Sequence, residues 1–79
     1  MAGDSFRMSL RERVAKNLRR LRQEKSVSQE ELAHRAQVNR NYVGMIEREE
    51  YSVSVDLLEK LAAALDVDPM EFFRTDDKE

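Results

Sequence analysis

Cysteine and tryptophan are absent from this chain, glycine occurs twice, and proline and histidine once each. Without cysteine there is no disulfide, no thiolate metal site and no thiol switch. Gly3 and Gly44 stand too far apart to build a phosphate-cradling loop. His34 has no second histidine or cysteine with which to hold a metal, so it reads as a surface or hydrogen-bonded side chain, and no metal or cofactor is expected. The longest uninterrupted apolar run is Leu61 to Leu65, far short of a membrane span, and nothing resembles a signal peptide. The expected location is the cytoplasm, with no membrane partner. Catalysis is not expected either. Glu30, Glu31, Glu49, Glu50, Asp66 and Asp68 fall at helix ends and in loops, where capping and solvation account for them, and Ser28 has no base spaced to activate it.

What is present is a short chain with segregated charge. Seventy-nine residues allow one domain with a small core, near the lower limit for folding without cross-links. The net charge of -2 would repel a polyanion, yet the distribution is uneven. Arg7 to Arg48 holds 11 Lys/Arg against 5 Asp/Glu, net +6; Glu49 to Glu79 holds 3 against 10, net -7; Asp4 completes the total. Such a molecule can lay a basic face on phosphate while its acidic half points away. Taken singly, Arg11, Arg13, Arg19 and Arg20 are better explained as solvating the outside of a helix.

Along the chain, Met1 to Ser9 has little periodicity and is expected to be a flexible arm ahead of a domain over residues 10–74. Leu10, Val14, Leu18 and Leu21 recur at helical spacing, flanked by Ala15 and Arg22, which predicts a helix to about Glu24. Lys25 to Val27 forms a turn with Val27 plugging the core. Ser28 with Glu31 makes a capping box for a second helix whose inward stripe is Leu32, Ala33 and Ala36. Asn39 caps a third, placing Val43 and Ile46 inward, with Tyr42 at the margin, and Arg40, Asn41, Gly44 and Met45 outward. Arg48 to Val53 has no period and reads as a loop. Ser54 caps a fourth helix with Val55, Leu58, Leu61, Ala62 and Leu65 inward. Asp68 and Pro69 open a short fifth helix holding Met70, Phe72 and Phe73. Thr75 to Glu79 is a charged tail. The fold class is therefore all-α, a five-helix domain.

Two short capped helices separated by a few residues form a helix-turn-helix signature, whose second helix presents its first turns to base edges in the major groove of double-stranded DNA. Arginine bridges guanine O6 and N7, and asparagine does the same for adenine N6 and N7, so Arg40 and Asn41 form a candidate two-base reader. Adjacent residues on a helix point about 100° apart, so one can face a base while the other grips a phosphate. Gly44 costs roughly 1 kcal/mol relative to alanine inside a helix. Either bulk there would clash with a groove wall or a neighbouring helix, or the residue is tolerated drift. Met45 can meet a thymine methyl or pack partly buried.

One recognition helix reads too few base pairs to be selective, and two spaced about 34 Å apart would read a symmetric operator. Met70, Phe72 and Phe73 cannot all face one core from a short helix. With Leu65 and Val67 they form the candidate surface for a homodimer, one phenylalanine being expected to close the core instead. The alternative function is a protein-interaction module, antitoxin-like or an adaptor, whose acidic C-terminal half binds an unknown protein partner.

The stretch from Leu18 to Phe73, LRRLRQEKSVSQEELAHRAQVNRNYVGMIE followed by LLEKLAAALDVDPMEFF, resembles the phage-repressor/Cro-type (XRE-like) helix-turn-helix family, in particular small members such as the controller proteins of restriction-modification systems. The resemblance implies a five-helix, dimeric, operator-binding transcriptional regulator. It also assigns roles: Gln29 to a phosphate, Asn39 to the helix cap beside the DNA backbone, and Arg40, Asn41, Gly44 and Met45 to bases. Arg22 and Glu47 match an ion pair between the first and third helices. Three positions depart from the family pattern. Gln37 stands where glycine is usual, Glu49 and Glu50 where glycine and a basic residue are common, and Val53 where proline is frequent. If the two glutamates turn away from DNA, Arg48, Tyr51 and Ser52 are left to make the backbone contact of that loop.

Overall fold

In the computed structural model, which describes residues 8–75, every helix opens on a side chain that caps it. Ser9 caps α1 (Leu10–Glu24), Ser28 caps α2 (Gln29–Ala36), Asn39 caps α3 (Arg40–Glu47), and Ser54 caps α4 (Val55–Leu65). Asp68 caps the final element, Pro69–Phe73. A side-chain oxygen at that place accepts from a first-turn N–H that has no helical partner. Ser9, expected in the flexible arm, instead forms a complete capping box: its N–H donates to Glu12 Oε1 at 2.8 Å and its Oγ accepts from the Glu12 N–H at 3.1 Å. The signal, serine three residues before glutamate, was present in the sequence. Residues 1–7, the rest of the expected arm, and 76–79 of the expected tail lie outside the described residues. In α2 the box closes on one side only. Ser28 Oγ accepts from the Glu31 N–H at 3.0 Å, while the Glu31 carboxylate accepts from Arg35 Nε at 2.8 Å.

All five elements contribute to one core. Leu18 of α1, Leu32 of α2, Val43 and Ile46 of α3, Leu61 and Leu65 of α4, and Phe72 are fully enclosed, and Val27 plugs the α1–α2 turn as expected. The expected stripes hold except at the first residue of two helices. Leu10 is 66% exposed and Val55 73%, and Leu57 is buried in place of Val55. Both exposed residues line a surface groove together with Tyr51, Val53 and Phe73.

The fifth element is a 3-10 helix, so the described residues hold four α-helices rather than five, with no strand. Its carbonyls explain the tighter form. Asn17 Nδ2 on α1 donates to Phe72 O at 2.8 Å and to Arg74 O at 2.9 Å, while Arg20 Nη2 reaches Glu71 O at 3.4 Å. These bonds draw the carbonyls away from any continuing helix and clamp the segment onto α1, with Phe72 beneath it. Asn17 is thus a buried polar residue with its amide satisfied, and no buried side-chain nitrogen or oxygen among the described residues lacks a partner.

Short connections are made by left-handed residues that are not glycine: Ser26, Gln37, Glu49 and Asp66 have φ between 57° and 62°. In L-residues the left-handed form brings Cβ against the backbone at a cost of roughly 1–2 kcal/mol, part of which glycine returns to the unfolded state as entropy. Gln37 is exposed, so nothing is lost with its side chain. Gln37→Gly should therefore stabilise the domain by about 0.5–1 kcal/mol, read as a raised midpoint in urea with an unchanged slope.

Candidate nucleic-acid interface

The segment from α2 to α3 closes its turn with backbone bonds. At the end of α2 the chain reverses through Gln37 (φ 59°, ψ 44°), its N–H bonded to His34 O at 3.1 Å. The Val38 N–H donates to Ala33 O at 3.0 Å, and the Val38 side chain packs on the core. This is the left-handed helix ending in which a hydrophobic residue follows the turn. Asn39 Oδ1 then accepts from the Asn41 N–H at 2.8 Å and starts α3.

With eight residues each, α2 and α3 are too short to be stable alone, so tertiary contacts must hold them. Leu32, Ala33, Ala36, Val43 and Ile46 supply the apolar contact. Orientation comes from Glu47, which is only 4% exposed. Its carboxylate accepts from Arg22 Nε at 2.7 Å and Arg22 Nη2 at 3.1 Å on α1, and from Gln29 Nε2 at 3.0 Å on α2. Arg19 Nη2 donates to the Glu47 main-chain oxygen at 3.0 Å, and Arg22 Nη1 to Val27 O at 3.0 Å. The expected Arg22–Glu47 pair is present as the centre of a larger cluster. Arg19 and Gln29 join it beyond the expected pair, Arg19 from one turn before Arg22 on the same face of α1. Burial alone would push the Glu47 carboxyl up. The hydrogen bonds from Arg22 and Gln29, with the charges of Arg22 and Arg19, outweigh it and hold the group below its ordinary value of 4.5.

At the other end of α3, Arg40 and Asn41 are exposed in its first turn, beside the exposed Asn39, and Met45 is half-buried one turn on. Gly44 departs from its expected outward place. It is buried, and a Cβ there would lie 3.0 Å from Arg48 Nη1 and 3.3 Å from Gln29 Oε1. The two side chains lie over it, Gln29 from the neighbouring α2 and Arg48 from the end of α3 itself, so added bulk would press on both. Tyr42, at the margin of the inward face, stacks on Tyr51 with ring centroids 5.0 Å apart and planes 9° from parallel, fixing the α3–α4 loop against α3. Ser52 is exposed in that loop.

The cations of this region are extensively paired. Arg40 Nη1 lies 3.2 Å from Glu30 Oε2, Arg48 is held by Glu50, Arg35 by Glu31, and Arg20 by Glu24 and Glu71. Hydrogen bonding and charge from Glu50 push the Arg48 pKa further up. The expectation of arginines that merely solvate helix faces is corrected at Arg13, which is buried, and at Arg20, which ties α1 to the acidic half of the chain, while Arg19 is exposed as expected and in addition donates to Glu47.

The residues expected at a dimer surface separate into two groups. Leu65 and Phe72 are core, because α4 and the clamp on the 3-10 helix turn both inward, and they cannot extend a surface patch. Met70 is 66% exposed, and Val67 and Phe73 are half-buried. Among the described residues no helix is long and apolar enough to cross a membrane, and no group of three or more His, Asp or Glu side chains could hold a metal.

With this geometry in place, residues 18–72 match the helix-turn-helix family. A Neisseria meningitidis protein described as a hypothetical transcription factor is 43% identical over 58 residues, covering 73% of this chain and 55% of that protein. The chain thus spans about half the length of that relative. The crystal structure of a hypothetical transcription factor from Neisseria superposes with a TM-score of 0.85 at 34% identity, covering 96% of this chain and 85% of the other. The restriction-modification controller protein C.AhdI from Aeromonas hydrophila gives 0.77 at 43% identity, covering 80% and 96%.

Removing one partner from a buried ion pair leaves an uncompensated charge, at a cost of about 3–5 kcal/mol. Arg22→Ala should lower the melting temperature markedly, a loss that is large against the few kcal/mol by which a small domain is stable. The Glu47 contribution has a defined pH window, because the unfolded chain binds the proton first. It is fully present above pH 4.5 and is lost as pH falls through the lower folded value. Urea unfolding from pH 6 down to about pH 3 should show wild type losing stability faster than Glu47→Gln.

Proposed function

The chain belongs to the helix-turn-helix family of DNA-binding transcription regulators, and from that premise we propose that it reads a symmetric operator as a homodimer and acts on its own promoter. The observation that carries this reading is the presentation of α3. Its inner face is locked to α1 and α2 through Glu47, while Asn39, Arg40 and Asn41 stand exposed together at its capped N-terminal end. A rigid helix with two side chains able to make paired hydrogen bonds to purine edges has the chemistry for direct readout.

In this reading Arg40, Asn41 and Met45 meet bases, and Gly44 contributes clearance between α2 and α3 rather than a contact. Gln29, Asn39, Arg48, Tyr51 and Ser52 line the DNA backbone. The Tyr42–Tyr51 stack supports the loop assignment, since it holds that loop beside the exposed end of α3. Dimerisation is assigned to Met70, Phe73 and Val67, the partly or wholly exposed apolar residues at the end of the fold. The controller identity of a structural neighbour supports the autoregulatory part, since small regulators of this type commonly act on their own genes.

Selection of a binding site from random duplexes, followed by footprinting upstream of the gene, tests the proposal. Arg40→Ala and Asn41→Ala should each weaken the selected site by about 1–3 kcal/mol and relax the preference at one base pair. A loss uniform across all sequences would make them phosphate contacts. Phe73→Glu should give a folded monomer by sedimentation, with weakened operator binding. A folded dimer would place the interface elsewhere.

A further inference from the structure

Arg48 does not extend from the end of α3. Its Nη1 lies over Gly44, 3.0 Å from where a Cβ would stand, and its Nε and Nη2 donate to the two Glu50 carboxylate oxygens at 3.0 and 3.2 Å. Both side chains are more than half exposed, so this is a surface clasp. Its anchor, however, is fixed. Glu49 takes the left-handed conformation (φ 62°), and the Glu50 N–H donates to Met45 O at 2.8 Å, which returns the backbone onto the last turn of α3. The paired donors of arginine fit a carboxylate as they fit a phosphate. Glu50 therefore occupies the guanidinium in the way a DNA phosphate would, and the absence of a side chain at Gly44 leaves the space in which it lies.

Resting on the DNA-reading function proposed above, we propose that Glu50 is a specificity-determining positioning residue: it holds Arg48 against Gly44 in the DNA-free protein and yields it to phosphate chiefly on cognate sites. Binding to non-cognate DNA rests almost wholly on phosphate contacts and counterion release. There the exchange of carboxylate for phosphate gains little, and the displaced Glu50 is left beside a polyanion. On a cognate site, base contacts from α3 hold the backbone close to Arg48 and favour the exchange. The clasp thereby weakens non-cognate binding more than cognate binding, which widens their ratio.

The test compares Glu50→Gln with wild type on a random-sequence duplex and on a duplex selected by the wild-type protein. The expected result is non-cognate binding about fivefold tighter, the scale of one exposed ion pair. The dependence of log K on log salt should be steeper by about one contact, and the gain on the selected duplex smaller. Most of that gain should vanish in an Arg48→Ala background, since the two residues act through each other. In the DNA-free protein the Arg48 Nε–Hε resonance should move in Glu50→Gln. An equal gain in the Arg48→Ala background would mean plain repulsion and overturn the proposal, as would unchanged affinity or an unmoved resonance. Failure of the wild-type protein to bind any duplex would instead overturn the DNA-reading function itself, and is distinguishable from wild-type binding that Glu50→Gln leaves unaltered.

Discussion

One buried carboxylate, that of Glu47 at the last residue of α3, ties that helix to the rest of the molecule. Apolar packing brings α2 and α3 onto the core but is non-directional, and a helix of eight residues could rotate or slide without losing much buried area. Hydrogen bonds restrict that freedom. Glu47 accepts two hydrogen bonds from one edge of the Arg22 guanidinium and one from Gln29, joining α1 and α2 to the last residue of α3. Its position is electrostatically poor on its own, since a carboxylate at the C-terminal end of a helix faces the negative end of the dipole. α3 has no basic residue of its own in its last turn. Arg19 and Arg22 supply the missing positive charge from another helix, and Arg19 also satisfies the terminal carbonyl of Glu47. The recognition helix is oriented by its far end.

The distribution of glycine follows from the same crowding. All four left-handed turn positions use other residues, and the one glycine among the described residues lies inside a helix, where backbone freedom is a disadvantage. Gly44 faces the place where Gln29 reaches across to Glu47 and where Arg48 folds back to Glu50. Side-chain traffic, not a turn, decides its location.

Much of the fold was legible because local signals and global packing agree. Serine, asparagine or aspartate marks each helix start, Ser9 of the first included, and the stripes of α1 to α4 give the phase of each helix. The failures share a cause. Periodicity gives the angle of a residue around its helix but not whether a neighbouring element reaches that level, so Leu10 and Val55 had the right phase and no partner. Phe72 and the 3-10 form of its helix depend on Asn17, 55 residues away, and nothing local announces such a bond. The site was legible in part. The exposure of Arg40 and Asn41 follows from the cap at Asn39 and the helical phase, whereas Arg22–Glu47 came from family likeness, and the arrival of Gln29 and Arg19 at the same carboxylate required three helices to be in place.

Charge shows how far a linear count can mislead. The surplus of +6 up to Arg48 and the deficit of -7 after it suggest two opposed faces. The fold crosses that boundary, with Arg20 meeting Glu71 and Arg48 meeting Glu50, and within the basic segment it pairs Arg40, Arg35 and Arg22 with Glu30, Glu31 and Glu47. What faces outward around α3 is a set of arginines each accompanied by a carboxylate, a weaker long-range attractor than the same arginines alone. For a reader of DNA sequence this is an advantage, because attraction to any phosphate serves every site in the genome equally, and only the difference between one site and the rest carries information.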